Sequence, residues 1–137
     1  MLIGEMSRRT GVKVPTIRYY EGIGLLPEPD RTEGGQRSYD GSHLRRLEFV
    51  RHARELGFEV EAIRELVDLD AHPERPCEKA DEIARRHLSE VERRIAKLVA
   101  LRSELSRMVE ACNHGTTGEC RVIQVIADHD LCEVERH

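Results

Sequence analysis

The stretch IGEMSRRTGVKVPTIRYYEGIGLL, residues 3–26, decides how the N-terminal part of this chain folds. Ile3 and Met6 share one helical face, and Gly11 is expected to end that first helix. Pro15 suits the first turn of a second helix, because the N–H that proline lacks has no intrahelical partner there. Two short helices joined by a tight glycine turn are typical of a helix-turn-helix.

The second helix is expected to turn Ile17 inward and a polar face outward. Arginine and tyrosine side chains donate to phosphate oxygens, and such contacts set the register of a protein on DNA. Tyr20 is equally well suited to a place in the core. The DNA contacts predicted on and beside this helix are Lys13, Thr16, Arg18, Tyr19 and Tyr20.

The next segment, LPEPDRTEGGQRSYD at residues 26–40, is predicted to form a wing. Its two prolines prevent a helix, and its Gly-Gly pair can make a tight hairpin. Arginines on both arms of such a hairpin suit contact with phosphate groups. The DNA contacts predicted in the wing are Arg31, Arg37 and Tyr39.

Two further helices and a loop follow the wing. Asp40 is predicted to cap a third helix, in which Leu47 and Val50 belong to one buried face. A fourth helix carries its own apolar stripe. The loop DAHPERPCEK, residues 70–79, contains two prolines and delivers Cys77.

A long amphipathic helix is predicted from about Lys79 to Ala111, where the chain has neither Gly nor Pro. Such a helix would span roughly 50 Å, and a chain this small cannot bury its apolar stripe alone. We therefore expect a partner helix, most simply from a second copy of the chain. The stripe comprises Leu88, Val91, Ile95, Leu98, Leu105, Val109 and Cys112. It fits alternating steps of three and four residues except at Arg102, where the neighbouring Leu101 can compensate.

Composition favours a mainly α protein that works in the cytoplasm. Of 137 residues 35% are charged and only 4% are aromatic, which suits helices with wide solvated faces. No apolar run approaches the roughly 18 residues that span a membrane. Residues 1–60 carry ten Lys and Arg against nine Asp and Glu, whereas residues 61–137 carry twelve against seventeen. The acidity is thus concentrated away from the expected DNA-binding region.

Four cysteines suggest a metal site. In a cytosolic chain cysteines are expected to be reduced, and clustered thiols indicate metal ligands before disulfides. Free cysteines are also often small core residues, which is the simpler alternative. The four are Cys77, Cys112, Cys120 and Cys132.

These segments resemble the MerR family along nearly the whole chain. The resemblance is carried by residues 3–29, by RTEGGQRSY, residues 31–39, by HLRRLEFVRHARELGF, residues 43–58, and by the long helix. It implies a winged helix-turn-helix in each protomer of a homodimer and an antiparallel coiled coil between the long helices. It further implies that the dimer binds a pseudo-palindrome in promoter DNA and distorts it for RNA polymerase.

The C-terminal loop resembles the cadmium/lead (CadR- and PbrR-like) branch of the family. Members that respond to divalent ions carry cysteine at the position of Cys77, where copper sensors carry serine. In an antiparallel pair Cys77 of one protomer could meet Cys112 and Cys120 of its partner. Three thiolates favour Cd, Pb or Hg, whereas Zn usually takes a fourth ligand. His114 and Cys132 are candidate additional ligands, with a solvated tail as the alternative.

The sequence thus predicts four segments and one leading function. The segments are a DNA-binding domain at 1–70, a hinge loop at 71–78, a dimerisation helix at 79–112 and a metal-binding loop and tail at 113–137. The function is a regulator that activates transcription when a soft divalent metal binds. The alternatives are a thiol redox-sensing regulator and a structural zinc-binding coiled-coil protein without DNA function. An enzyme is not expected, because no nucleophile–base motif or phosphate loop stands out.

Overall fold

The computed structural model describes residues 1–112 and 114–131 and is mainly α-helical. These residues divide into two compact units, Met1–Ile83 and the residues from Ala84 onward. The elements are α1 (Ile3–Thr10), α2 (Val14–Gly22), β1 (Asp30–Arg31), β2 (Arg37–Ser38), α3 (Gly41–Glu55), α4 (Val60–Asp70), α5 (Glu78–Glu110) and α6 (Arg121–Ala127), with 3-10 turns at Thr117–Glu119 and His129–Leu131. The predicted fold class, a winged helix-turn-helix followed by a long helix, is confirmed.

The turn between α1 and α2 depends on glycine. Gly11 has a φ of 75°, a left-handed conformation that side chains with a Cβ rarely adopt. Its N–H donates to the carbonyl of Ser7 over 2.8 Å and ends α1. Thr10 reinforces the turn, since its hydroxyl accepts the N–H of Val12 over 3.2 Å. The chain can then start α2 at a fixed angle to α1.

The first unit has a closed apolar core. Helix α1 packs on α2 and α3, and α3 packs on α4. Asp40 caps α3 as predicted: its carboxylate accepts the N–H groups of Ser42 and His43. The side chains that are almost completely buried in this core are Met6, Ile17, Leu25, Leu26, Leu47, Val50 and Ile63.

The wing is a two-stranded antiparallel hairpin after α2. Asp30 pairs with Ser38 and Arg31 pairs with Arg37. The glycine turn between the strands is closed by a hydrogen bond from the N–H of Gly35 to the carbonyl of Thr32. Directly paired residues of an antiparallel ladder project from the same face. The two wing arginines therefore share one face of the hairpin.

The second unit leaves much of its apolar surface exposed. Met108 near the end of α5 and Val125 of α6 are buried, together with the carboxyl-bearing side chain of Glu104. By contrast, large apolar side chains along α5 face solvent in the single chain. Those exposed on α5 are Leu88, Ile95, Leu98, Val99, Leu105 and Val109.

Candidate DNA-binding surface and cysteine positions

Helix α2 presents the polar face that the sequence predicted. Lys13 lies in extended backbone just before the helix, and Pro15 occupies its first turn. Lys13, Arg18 and Tyr19 are exposed, and Thr16 is half-buried. The helical repeat places these side chains on the outside while Ile17 packs into the core.

A cationic cleft lies between α1, α2 and the wing. Its volume is about 540 Å³. Four arginines, Arg8, Arg18, Arg31 and Arg37, line it together with the carboxylate-bearing Glu5. Converging guanidinium groups bind phosphate well, because each offers several N–H donors in a planar fork. A cleft lined in this way suits an anionic ligand.

Arg31 and Arg37 are held by different partners. The Nη1 of Arg31 donates to the carbonyl of Gly35 over 2.8 Å, so its guanidinium lies against the wing turn. The Nε of Arg37 lies 3.1 Å from Oε2 of Glu21. Both arginines also line a smaller cleft of about 200 Å³ beside the end of α2. Each arginine is thus partly fixed before any ligand binds.

Tyr20 and Tyr39, two of the predicted DNA contacts, lie in the core. Tyr20 is buried on the inner side of α2, the alternative that the sequence left open for it. Tyr39 is only 2% exposed, and its hydroxyl donates to Oε1 of Glu21. Burial raises the pKa of Tyr39, and the hydrogen bond to Glu21 raises it further. At neutral pH the phenol therefore keeps its proton and donates the hydrogen bond that the Glu21 carboxylate accepts.

Glu21 is a functional candidate that the sequence reasoning missed. Its side chain is only 8% exposed, although it is the next residue after two tyrosines on a surface helix. Its two carboxylate oxygens accept from two different residues, Tyr39 and Arg37. The sequence did show an acidic residue within a cationic motif. Helical periodicity alone, however, could not predict which residues its carboxylate would bind.

The cysteines flank α5 and precede α6. Cys77 is exposed and free, and its carbonyl accepts the N–H of Asp81 in the first turn of α5. Cys112 follows α5, and Cys120 immediately precedes α6; both are half-buried and free. Within residues 1–112 and 114–131 of one chain, no three His, Cys, Asp or Glu side chains form a group that could hold a metal ion.

The donor chemistry nevertheless fits a soft metal. Cys77, Cys112 and Cys120 are thiols with accessible surface, as metal entry requires. His114 is exposed and has a φ of 57°, so its loop has a left-handed turn at that residue. Cys132 lies outside the described residues.

Among the helices of the described chain, none is both long and apolar enough to cross a membrane.

Comparisons with known proteins agree on one family. The protein-family model described as "MerR HTH family regulatory protein" matches residues 1–70, and the one described as "MerR, DNA binding" matches residues 44–108. The transcriptional regulator ZntR of Escherichia coli K12 is 45% identical over 80% of this chain and 79% of its own length. The regulator HmrR of Rhizobium leguminosarum bv. viciae is 38% identical over 93% of this chain and 98% of its own.

A solved structure extends the similarity through the C-terminal unit. The transcription regulator PbrR691 of Ralstonia metallidurans CH34, in complex with lead(II), matches with a TM-score of 0.80. It is 36% identical, and the match covers 92% of this chain and 98% of that one. The resemblance noted from the glycine turn, the wing arginines and the long helix is confirmed: the chain belongs to the MerR family of helix-turn-helix regulatory proteins.

Proposed function

We propose that this protein is a metal-responsive transcription regulator that binds promoter DNA as a homodimer and activates transcription when a soft divalent ion binds. The observation that carries the proposal is the position of its free cysteines: Cys77 immediately precedes the 33-residue α5, and Cys112 closely follows it. The arginine-lined cleft of the first unit supplies the DNA-binding end. Such a regulator would work in the cytoplasm, where the promoter is.

The exposed stripe of α5 supports a dimer. Leu98 is 63% exposed in the single chain, and four further apolar residues of the stripe are also exposed: Leu88, Ile95, Leu105 and Val109. Burial of one such side chain against a partner helix contributes about 1.5–3 kcal/mol. Because the apolar residues of the stripe recur at heptad-like spacing along α5, the stripe suits a coiled coil formed by two copies of the chain.

An antiparallel arrangement of the two α5 helices would complete the metal site. The start of each helix would then lie beside the end of the other, so Cys77 of one protomer would face Cys112 and Cys120 of the partner subunit. This arrangement accounts for thiols that form no metal-binding group within the described part of one chain. His114 is a candidate fourth ligand, and Cys132 is a further candidate beyond the described residues.

A set of three thiolates points to cadmium or lead as the effector. Thiolates select soft ions, and a three-coordinate sulfur site suits Cd, Pb or Hg better than Mg, Ca or Mn. Structural zinc sites usually have four ligands, so Zn would require His114 or Cys132 as well. The similar regulator PbrR691 binds lead(II), which supports this choice.

The DNA contacts we propose are polar side chains on and beside α2 and in the wing that keep accessible surface. Arg18, Tyr19, Arg31 and Arg37 would position the protein on phosphates, with Lys13 and Thr16 nearer the base edges. The dimer would stabilise a distorted duplex that RNA polymerase can use, and the energy of distortion depends on the sequence that is deformed. Metal shifts this equilibrium only through its different affinities for the two states.

A metal titration tests the effector site. The reduced apo protein is titrated with Cd, Pb, Hg, Zn and Cu(I) while thiolate-to-metal charge-transfer absorbance is followed, alongside Cys77→Ser. We expect tight binding of a divalent ion at one per protomer, lost in the variant. Binding that does not depend on Cys77, or a preference for Cu(I), would mean that the loop of Cys112 and Cys120 senses the metal alone.

A transcription assay tests the switch. Apo and metal-bound dimers should occupy the same promoter fragment, and only the metal-bound dimer should open the promoter with RNA polymerase. Release of the dimer from DNA on adding metal would contradict activation by distortion. That outcome would not argue against the proposed metal ligands.

A further inference from the structure

The carboxylate of Glu21 lies between α2 and the wing and has no role in the proposed function. Its side chain is 8% exposed. A carboxylate removed from water is costly unless its oxygens are paired, and both of these are: Tyr39 donates to Oε1 and Arg37 lies against Oε2. Partners on both oxygens also fix the rotation of the carboxylate plane.

Tyr39 makes this carboxylate a rigid support. The phenol is 2% exposed, and its backbone N–H donates to the carbonyl of Met1 over 2.7 Å. Its ring also makes an edge-on contact with His43, with centroids 5.5 Å apart. Tyr39 moves little because its ring is buried and its backbone is hydrogen-bonded to Met1, so the carboxylate that its hydroxyl contacts is fixed relative to the core.

Within the described part of the chain, Arg37 pairs with Glu21 through the Nε side of its guanidinium. Its Nε faces Glu21 at 3.1 Å, whereas the Nη1 and Nη2 atoms carry four further N–H groups. The side chain keeps 36% of its surface exposed and lines both clefts. The arginine can therefore pair with Glu21 and with an anion in the cleft at the same time.

We propose that Glu21 is a positioning residue for DNA binding: by holding the Nε of Arg37, it directs the Nη groups of that arginine at a DNA phosphate. The inference rests on the proposed function as a DNA-binding regulator. Fixing the guanidinium in advance reduces the side-chain entropy lost on binding. Lysine could not replace this arginine, because a single ammonium cannot reproduce the fork that serves both partners.

The sign of the effect separates positioning from simple charge. DNA is a polyanion, so removing a nearby negative charge would by itself strengthen binding. A positioning role predicts the opposite for Glu21→Gln: the amide keeps the size of the carboxylate but loses the charged pair with Arg37. Binding should weaken, because the guanidinium is no longer fixed.

The experiment compares Glu21→Gln, Arg37→Ala and the double variant on a duplex that the wild-type protein selects from a random-sequence pool. Affinity is measured across a range of salt concentrations. We expect Glu21→Gln to bind roughly five- to tenfold more weakly, with a salt slope lower by up to about one unit. In the Arg37→Ala background the same substitution should weaken binding no further.

Glu55→Gln is the matched control. It removes a carboxylate paired with an arginine, Arg51 at 3.0 Å, on the exposed surface of α3. It should leave affinity and salt slope unchanged. Thermal unfolding of every variant checks that the fold is kept.

Arg37→Lys keeps the proposal testable even where Glu21→Gln does not fold. Positioning predicts that the lysine variant binds as weakly as Arg37→Ala, whereas a charge-only role predicts wild-type affinity. Wild-type affinity for Arg37→Lys, unchanged or tighter binding for Glu21→Gln, or an equal loss in the Arg37→Ala background would overturn the positioning role and leave the regulator intact. Failure of the wild-type protein to select any duplex would overturn DNA binding itself, and with it this role.

Discussion

The two compact units bury their apolar side chains to very different degrees. In Met1–Ile83, seven large side chains from α1 to α4 are almost completely buried, and the groups proposed to face DNA rest on that core. From Ala84 onward, α5 exposes six large apolar side chains, and the described cysteines form no metal-binding group in one chain. The first unit is complete in a single chain, whereas the second has the features of half of an assembly.

This contrast is tested most strongly by a charge placed in the exposed stripe. Leu98→Glu should convert the dimer to a monomer and abolish binding to DNA and metal, because a buried carboxylate without a partner is very costly. Light scattering gives the molar mass. Ser103→Glu, an exposed position of α5 outside the stripe, should remain dimeric. A dimeric Leu98→Glu protein that still binds metal would show that the stripe is not the interface.

Mixed dimers distinguish a metal site shared between protomers from one within a protomer. Cys77→Ser and the double variant Cys112→Ser/Cys120→Ser should each bind no metal as homodimers. A shared site predicts that the heterodimer binds one ion, because the intact Cys77 of the second variant meets the intact pair of the first. Differently tagged copies are co-purified and their metal content is measured. A heterodimer without metal would place all the thiol ligands in one chain.

A core substitution in the first unit should have a large effect on stability. Leu47 is 0% exposed, and Leu47→Ala is expected to lower the free energy of unfolding by about 2–5 kcal/mol. Leu56 at the end of α3 is 61% exposed, so Leu56→Ala should cost about 0.5 kcal/mol or less. Urea unfolding followed by circular dichroism measures both. Equal losses at the two positions would contradict a closed core in this unit.

The sequence predicted what local rules control. The glycine turn, the cap at Asp40, the wing hairpin and the length of α5 all follow from backbone preferences and periodicity, and the structure confirms them. Those rules do not assign a partner to a polar side chain. Glu21 and Tyr39 lie 18 residues apart, and their hydrogen bond depends on how the wing folds back on α2. For the same reason, the spacing of the cysteines along the chain does not predict which of them lie close together.

The smallest expected effect concerns the cap of α3 and its dependence on pH. The hydroxyl of Ser42 hydrogen-bonds to the Asp40 carboxylate, and the N–H of His43 does so too, which holds the pKa of Asp40 below its usual range. A depressed folded-state pKa gives stability that is present above the unfolded-state pKa of about 3.9 and is lost as pH falls. The side chain is 70% exposed, so solvent screens much of the effect.

Asp40→Ala should therefore unfold at a lower temperature than wild type at about pH 5, and the difference should shrink by about pH 3, where carboxyl groups but not imidazoles titrate. Thermal unfolding of both proteins at the two pH values gives this difference directly, and other carboxyl groups affect both proteins alike. A gap of constant size would mean that the Asp40 carboxylate does not cap α3 through its charge. The cap would then act through a hydrogen bond that the protonated acid also makes.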